Sequence, residues 1–552
     1  MMRALPMTAA NAGPRTRGKY PGVVRKSVAG VLATVLCMPA GAQDLRLADV
    51  IALALSRNPA IQVQRTQVEA AYGQQQQAAG QFDWAITSSL NYERSITPLT
   101  DSALADGAGG RIDQTRLFST AYQVGINKRL RNGLIVGAGF DANGIQDASA
   151  SPVLQQQNLA RLNVSLTLPL LQGQGRAVTA AEDAAALSAQ ARRFDLLDAA
   201  ARTLYATIVA YWNYRARIEL EKVAISAEER SGSLLESTRK LVDAFEKPAA
   251  DLVLLRADLA DKVAAREAAS LARTEARQAL GRLLGLDALA IAALPDPAEA
   301  LPAGAALPQS AFPDLAALRG EALARRPDLH SLALQLQAAQ RTIEGARDLL
   351  KPRLDLNVGL AYAKASEGEG RYRLFSEPGR YQSAPSVFAS LNFAFPVANN
   401  QAKGVVRERA AVLLQVAIQQ SDLATGVATG VDFALHSLIS SAAQLDAGRS
   451  SLALYEQAVK QEIIKQRNGI STLIDVINTE TRFISARIGF LQAQLAYATA
   501  LARLRLETGT LVPTPDADDR FSLDTNDLAG FGPLSDRQSA SSSSARTGSH
   551  EK

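Results

Sequence analysis

The stretch VSLTLPLLQGQGRA, Val164 to Ala177, passes through three kinds of structure. Leu162, Val164, Leu166 and Leu168 alternate with Arg161, Asn163, Ser165 and Thr167. That period of two marks a strand with one apolar and one polar face. Pro169 ends the run, since proline has no N–H to give to a ladder. Gln172-Gly173-Gln174-Gly175 then supplies a turn, and the Ala- and Leu-rich sequence beyond it reads as helix. A second junction of the same kind is ASLNFAFPVANNQAKG, Ala389 to Gly404. There Val387, Ala389, Leu391, Phe393 and Phe395 alternate with Phe388, Ser390, Asn392 and Ala394 until Pro396.

Upstream of each junction lies an earlier strand. Ile86, Leu90 and Tyr92 alternate with Thr87, Ser89, Asn91 and Glu93; Leu354, Leu356, Val358, Leu360 and Tyr362 alternate with Arg353, Asp355, Asn357, Gly359 and Ala361. Two-faced strands of about ten residues suit the wall of a water-filled membrane barrel. They suit the amphipathic sheet of a soluble sandwich as well. An extra pair of runs, Phe118 to Leu130 and Leu134 to Phe140, flanks Arg131-Asn132-Gly133, a hairpin signal. It fits either additional wall strands or a projecting loop.

Further upstream the two halves are alike again. DVIALALSRNPAIQVQRTQVEAA, Asp49 to Ala71, aligns with LRGEALARRPDLHSLALQLQAA, Leu318 to Ala339, when Pro59 is set on Pro327. Each reads as a short helix, a break at X-Pro and a longer helix. Downstream, no proline occurs from Pro169 to Pro248 or from Pro396 to Pro513. Helices over about 177–244 and 402–467 would each be roughly 100 Å long. Turns at Phe245-Glu246-Lys247-Pro248 and Arg467-Asn468-Gly469 lead into return helices, Asp251 to Leu284 and Thr472 to Thr508, with Gly285 and Gly509 just beyond. The sequence thus divides into 1–42, a signal peptide; 43–300, a first repeat; 301–512, a second; and 513–552, a low-complexity tail read as disordered.

The formal charge of +5 over 552 residues invites a nucleic-acid reading. Six of the basic residues, Arg3, Arg15, Arg17, Lys19, Arg25 and Lys26, lie within the first 42, which hold no acid. Without them 53 basic residues face 54 acidic ones, and the case for a nucleic-acid partner disappears. Arg25-Lys26, the apolar run Val28 to Met38 and Ala40-Gly41-Ala42 instead describe an export signal cleaved after Ala42. Cys37, the single cysteine, falls inside it, so disulfide and thiol chemistry are not expected. No window of 18 uninterrupted apolar residues follows, so membrane entry would require a closed barrel.

Over roughly Leu45 to Leu511 these segments resemble the TolC family of outer-membrane efflux and secretion proteins. The resemblance rests on the mature start DLRLADVIALALSRNPAIQVQRTQVEAA, on the two junctions, and on RNGISTLIDVINTETRFISARIGFLQAQLAYATALARLRLETGTL, Arg467 to Leu511. It implies an α+β membrane protein: a homotrimer whose strands form one transmembrane β-barrel, continued by a long periplasmic α-helical barrel, with two structural repeats per chain. Four strands per chain would give twelve; with the extra hairpin in the wall, eighteen. It further implies an exit duct in outer-membrane lipid, docked on a periplasmic adaptor and an inner-membrane pump, proton-driven or ABC. Energy comes from that pump, so no cofactor is expected.

The resemblance also assigns residues. Asp475, six positions after Gly469, would line the pore constriction; Asn478 stands where the family pattern has a second Asp. A ring of three carboxylates would attract cations there. Capping of the returning helix is the alternative role for Asp475. Asp251, Gln466 and Gly469 would form the tip gate, with Ser471 in place of the Arg expected to partner Asp251, and Arg467 or Lys465 as substitutes. For Asp251 too, an N-cap is the plain alternative. Phe245, Lys247, Asn468 and Gly469 would meet the adaptor, and Pro169 and Pro396 mark the strand–helix junctions. Trp84, Tyr92, Tyr362, Tyr372 and Tyr381 lie near the expected strand ends or loops, a placement that suits membrane-interface aromatics and ordinary packing alike.

Catalytic constellations are not found. His330, His436 and His550 are scattered, there is no HExxH, and Gln172 to Gly175 lacks the GK[ST] of a phosphate loop. Two other readings remain open at this level: a non-transporting structural or adhesive outer-membrane protein with periplasmic struts, and a general porin.

Overall fold

The computed structural model describes residues 45–98, 105–107, 110–112, 114–147, 157–246, 248–303, 314–367 and 382–511. The expected signal peptide and tail, Lys247, Tyr372 and Tyr381 lie outside them.

X-Pro breaks shape the start of each half. Helices α1 (Leu47–Arg57) and α2 (Pro59–Ala79) meet at Asn58, and α6 (Leu315–Arg325) and α7 (Pro327–Asp348) meet at Arg326. Proline opens the second helix of each pair, where its missing N–H leaves nothing unpaired. The Asn58 side chain accepts from the Ala60 N–H at 2.8 Å and donates to the Leu283 carbonyl at 2.7 Å. At the other break, the Arg326 guanidinium donates to Asp328 and Glu507, each at 2.6 Å.

The alternating runs form strands β1 (Trp84–Pro98), β4 (Gln114–Arg129), β5 (Ile135–Asp147), β6 (Gln157–Pro169), β7 (Arg353–Glu367) and β8 (Gln382–Ala394). A small pair, β2 (Ala105–Gly107) and β3 (Gly110–Ile112), lies between β1 and β4 in the chain. The six long strands make one antiparallel sheet in the order β1-β4-β5-β6-β7-β8. The Asn-Gly hairpin is therefore part of the sheet, a point the sequence left open. β8 stops at Ala394, so Pro396 lies two residues beyond the strand it was expected to terminate.

The registers bring apolar residues of all six strands together on one face. Ile86, Ile126, Ala138, Val164, Leu360 and Val387 form one transverse row. The adjacent row, on the opposite face, is Thr87, Gly125, Gly139, Asn163, Ala361 and Ser386. The apolar row is not covered by the chain itself: Ile86 is 74% exposed and Val387 73%. At one end of that face Lys128 places its ammonium 5.2 Å from the Trp84 ring centre, a pairing suited to a membrane interface. β1 and β8 each have one hydrogen-bonded neighbour among the described residues, so both sheet edges are open.

Helices α3 (Arg176–Asp243) and α8 (Asn400–Arg467) are 68 residues each, about 100 Å long. They return as α4 (Ala250–Leu283) and α9 (Leu473–Glu507); a short α5 (Ala288–Ala292) follows α4. α3 packs along α4, α7, α2 and α9, while α8 packs along α9, α7 and α6. The apolar core sits partway along these helices. Leu204, Ile208, Tyr211 and Tyr214 of α3 enclose Val50, Ile51 and Ala54 of α1. A second cluster joins Val431, Ala434 and Leu438 of α8 to Ala322 and Leu504.

Both return helices end on a left-handed glycine, Gly285 (φ 66°) and Gly509 (φ 69°). The 6→1 bonds Leu286 N–H to Gly281 and Thr510 N–H to Arg505 close the same turn twice. Each glycine also abuts the Arg-X-Pro break of its own half: a Cβ on Gly285 would lie 2.6 Å from the Arg57 carbonyl oxygen, and one on Gly509 would lie 3.2 Å from Arg325 and Arg326 backbone atoms.

One stretch of α8 has the length and composition of a membrane-crossing helix, with only 28% of it buried in the chain. Elsewhere on α8, a helix several times longer than a bilayer is thick, Val412, Leu414 and Ile418 are exposed.

Candidate functional site

At the far ends of the long helices, two turns of the same construction differ in one residue. α8 ends with Gly469 at φ 76°, its N–H donating to the Gln466 carbonyl at 3.1 Å and the next N–H, of Ile470, to Lys465 at 2.9 Å. α3 ends with the same pair of bonds, Phe245 to Val242 at 3.0 Å and Glu246 to Leu241 at 2.8 Å. The left-handed position there is held by Phe245, at φ 61° and 97% exposed. A bulky L-residue in this conformation is strained, and full exposure gives it no packing in the chain to offset the strain.

The second tip orders its own polar groups. Thr472 is the N-cap of α9 and forms a capping box with Asp475. The Asp475 carboxylate accepts from the Thr472 N–H at 3.0 Å, and the Thr472 hydroxyl accepts from the Asp475 N–H at 3.3 Å. Bonds from the Thr472 hydroxyl and backbone, in that order, hold the Asp475 carboxyl below the usual carboxylate range. Asp475 thus fills the capping role, and its carboxylate remains exposed. Asn478, three residues on, is exposed on the same stripe of the helix. Ser471 donates to Glu462, which lowers that carboxyl too, and Lys465 pairs with Glu462 at 3.3 Å.

Asp251 lies in the first turn of α4, half-buried, with no side-chain partner among the described residues. Lys465, one of its two expected substitutes, is engaged with Glu462. α3 is instead tied to α9 higher up, where Arg230 pairs with Glu480 and lies over the Phe483 ring at 5.8 Å. Ser231, buried, donates to Asp258 of α4 at 2.6 Å.

Sequence reasoning did not single out the apolar residues around these turns. Ile470 is 75% exposed, Val253 68% and Ile474 51%. The available signal was their position: isoleucine and valine within a turn or first helical turn, where polar residues are the rule.

At the strand–helix junctions, the Gly173 N–H donates to buried Asp348 at 2.6 Å, and Gln174 donates to the Pro169 carbonyl. Gly173 and Gly175 both take positive φ, as the turn reading requires. Asn399, left-handed at φ 44°, precedes α8 at the second junction.

Among the described residues no group of three or more His, Cys, Asp or Glu is placed to hold a metal. A cavity of about 450 Å³ beside His330 is lined by Leu323, Leu329, Ala333, Ala417 and Gln420. The His330 ring lies 2.9 Å from the Ala324 carbonyl and 5.3 Å from Phe194.

Comparison with known proteins supplies relatives. Residues 318–510 match the profile of the outer membrane efflux protein family. Among solved structures, the outer-membrane channel OprN is 18% identical, covers 84% of this chain and 90% of its own, and superposes with a TM-score of 0.62. The Campylobacter jejuni CmeC outer membrane channel is 15% identical over 88% and 89%, with a TM-score of 0.62. The open state of the Neisseria gonorrhoeae MtrE outer membrane channel is 19% identical over 85% and 90%, with a TM-score of 0.57. Among curated protein sequences none matches. Residues 318–510 thus carry the profile of the outer membrane efflux protein family, and the six-stranded sheet continued by paired long helices is a fold the chain shares with solved outer-membrane channels.

Proposed function

We propose that the protein is the outer-membrane exit duct of an efflux or secretion machine, working as a homotrimer. The observation that carries this is the union, in one chain, of an uncovered two-faced sheet with open edges and two 68-residue helices. In lipid every backbone polar group must be paired, so open edges have to be closed by further copies of the sheet. The apolar row then faces lipid and the Thr87–Ser386 row faces water. Exposed apolar positions of α8, such as Leu414 and Ile418, face neighbouring helices in the periplasm.

The helix tips form the periplasmic end, with Asp251, Gln466 and Gly469 at the gate. Exposed Asp475 carboxylates, one per chain, ring the narrowest part; Asn478 contributes no charge to that ring. Phe245, Asn468 and Gly469, with Ile470 and Val253, present an apolar surface to a periplasmic adaptor. An inner-membrane pump on that adaptor supplies the energy, proton-driven or ABC.

Conductance of the purified protein in planar bilayers tests this reading. A duct closed at its tips conducts poorly until Asp475→Ala and further tip substitutions loosen it. Absence of conductance in all these variants would sink the channel. High conductance in the unaltered protein would favour a general porin.

A further inference from the structure

We propose that the β4–β5 hairpin makes the membrane wall eighteen-stranded, so that the membrane section of the duct is half as wide again as a wall of four strands per chain would make it. The proposal rests on the trimeric-channel reading above. It goes beyond it by naming bulky hydrated solutes, including polypeptides with folded segments, as cargo that the membrane section admits.

The hairpin is not an appendage. β4 pairs with β1 from Trp84↔Lys128 to Pro98↔Gln114, and β5 pairs with β6 from Ile135↔Thr167 to Ile145↔Gln157. It stands between β1 and β6, which do not touch, so folding it outward would break both ladders. Its sidedness also matches the wall. Ile126 and Ala138 continue the apolar row, while Gly125 and Gly139 continue the polar one.

The turn is fixed to the root of the long helix. Arg131 forks onto Glu182 of α3 at 2.6 and 2.9 Å, and its guanidinium lies 4.9 Å from the Phe82 ring centre. Gly133, buried at φ 96°, sits so close to Gly173 that a Cβ would collide with the Gly173 carbonyl. A loop hairpin projecting into solvent has no need of such contacts.

With strands about 4.8 Å apart and tilted about 40°, a closed wall of eighteen has a backbone radius of about 18 Å. Twelve strands give about 12 Å by the same geometry. The inward row is small where the hairpin contributes to it, with glycine at 125 and 139, so little of the added bore is refilled by side chains.

Excision of residues 114–147 tests the proposal. β1 would then neighbour β6 with Ile86 and Val164 still on one face, giving four strands per chain. Polymer sizing with poly(ethylene glycol) added from the extracellular side, on channels carrying Asp475→Ala, is the readout. The full-length channel should admit polymers about one and a half times the radius of the largest admitted by the excised form. Equal cut-offs would overturn the proposal. Should the excised chain not assemble, nitroxide labels on Val124→Cys and Gln123→Cys in the full-length protein decide. Oxygen contact at 124 and aqueous nickel contact at 123 support a wall strand; aqueous contact at both overturns it. A protein that never conducts but shows the alternating labels would sink the channel reading and leave the wall intact.

Discussion

Asp475 uses one carboxylate to hold a turn and to present charge. Its bonds to Thr472 fix the cap, and its carboxylate stays exposed, as the proposed lining role requires. Asp475→Asn should therefore weaken block by divalent cations added from the periplasmic side; unchanged block removes Asp475 from the lining. The lowered carboxyl gives a signed pH effect. Its folded-state pKa is depressed, so its stabilisation is complete above the unfolded value near 4 and is lost as pH falls through the folded value. Tip opening, read as conductance, should set in only in acid, and Thr472→Ala should move that onset to higher pH. Phe245 invites the opposite experiment. Phe245→Gly relieves left-handed strain and should raise stability by about 1 kcal/mol in denaturant unfolding. The same change should weaken capture by the cognate adaptor; undiminished capture would leave the exposed ring unexplained.

Among the elements, the return helices depend on where they stop. Gly285 supplies both a left-handed backbone and room for the Arg57 carbonyl. Gly285→Ala should destabilise by about 1 to 3 kcal/mol, measurable as a lowered unfolding midpoint. Gly509→Ala should cost less, because its nearest neighbours stand farther off. The break residues contribute differently in the two halves. Asn58 works by neutral hydrogen bonds, whereas Arg326 works by an ion-pair network with Asp328 and Glu507.

For the whole molecule, the exposed apolar row and the two open edges make an isolated chain untenable in water or lipid. Mass measurement of the detergent-solubilised protein should give three chains; a stable monomer would contradict closure of the wall by neighbouring copies. Such a monomer would also remove the partner surfaces expected along α8.

Period-two alternation, the X-Pro breaks and the glycines after each return helix specify local conformation, because each acts through its own backbone or its nearest neighbours. They set the strand faces and the extents of both 68-residue helices without reference to any distant contact. The composition of residues 1–42 accounted for the excess basic charge in the same local way. Position of the Asn-Gly hairpin needed tertiary structure, since pairing partners such as Ile126 and Ile86 or Ala138 and Val164 are set by ladders between distant segments. So did the partners of Lys465 and Arg230, because an ion pair depends on which helix faces which. Phe245 shows the boundary most plainly: its sequence neighbourhood announces a turn, but only the folded backbone shows an aromatic residue held where glycine belongs.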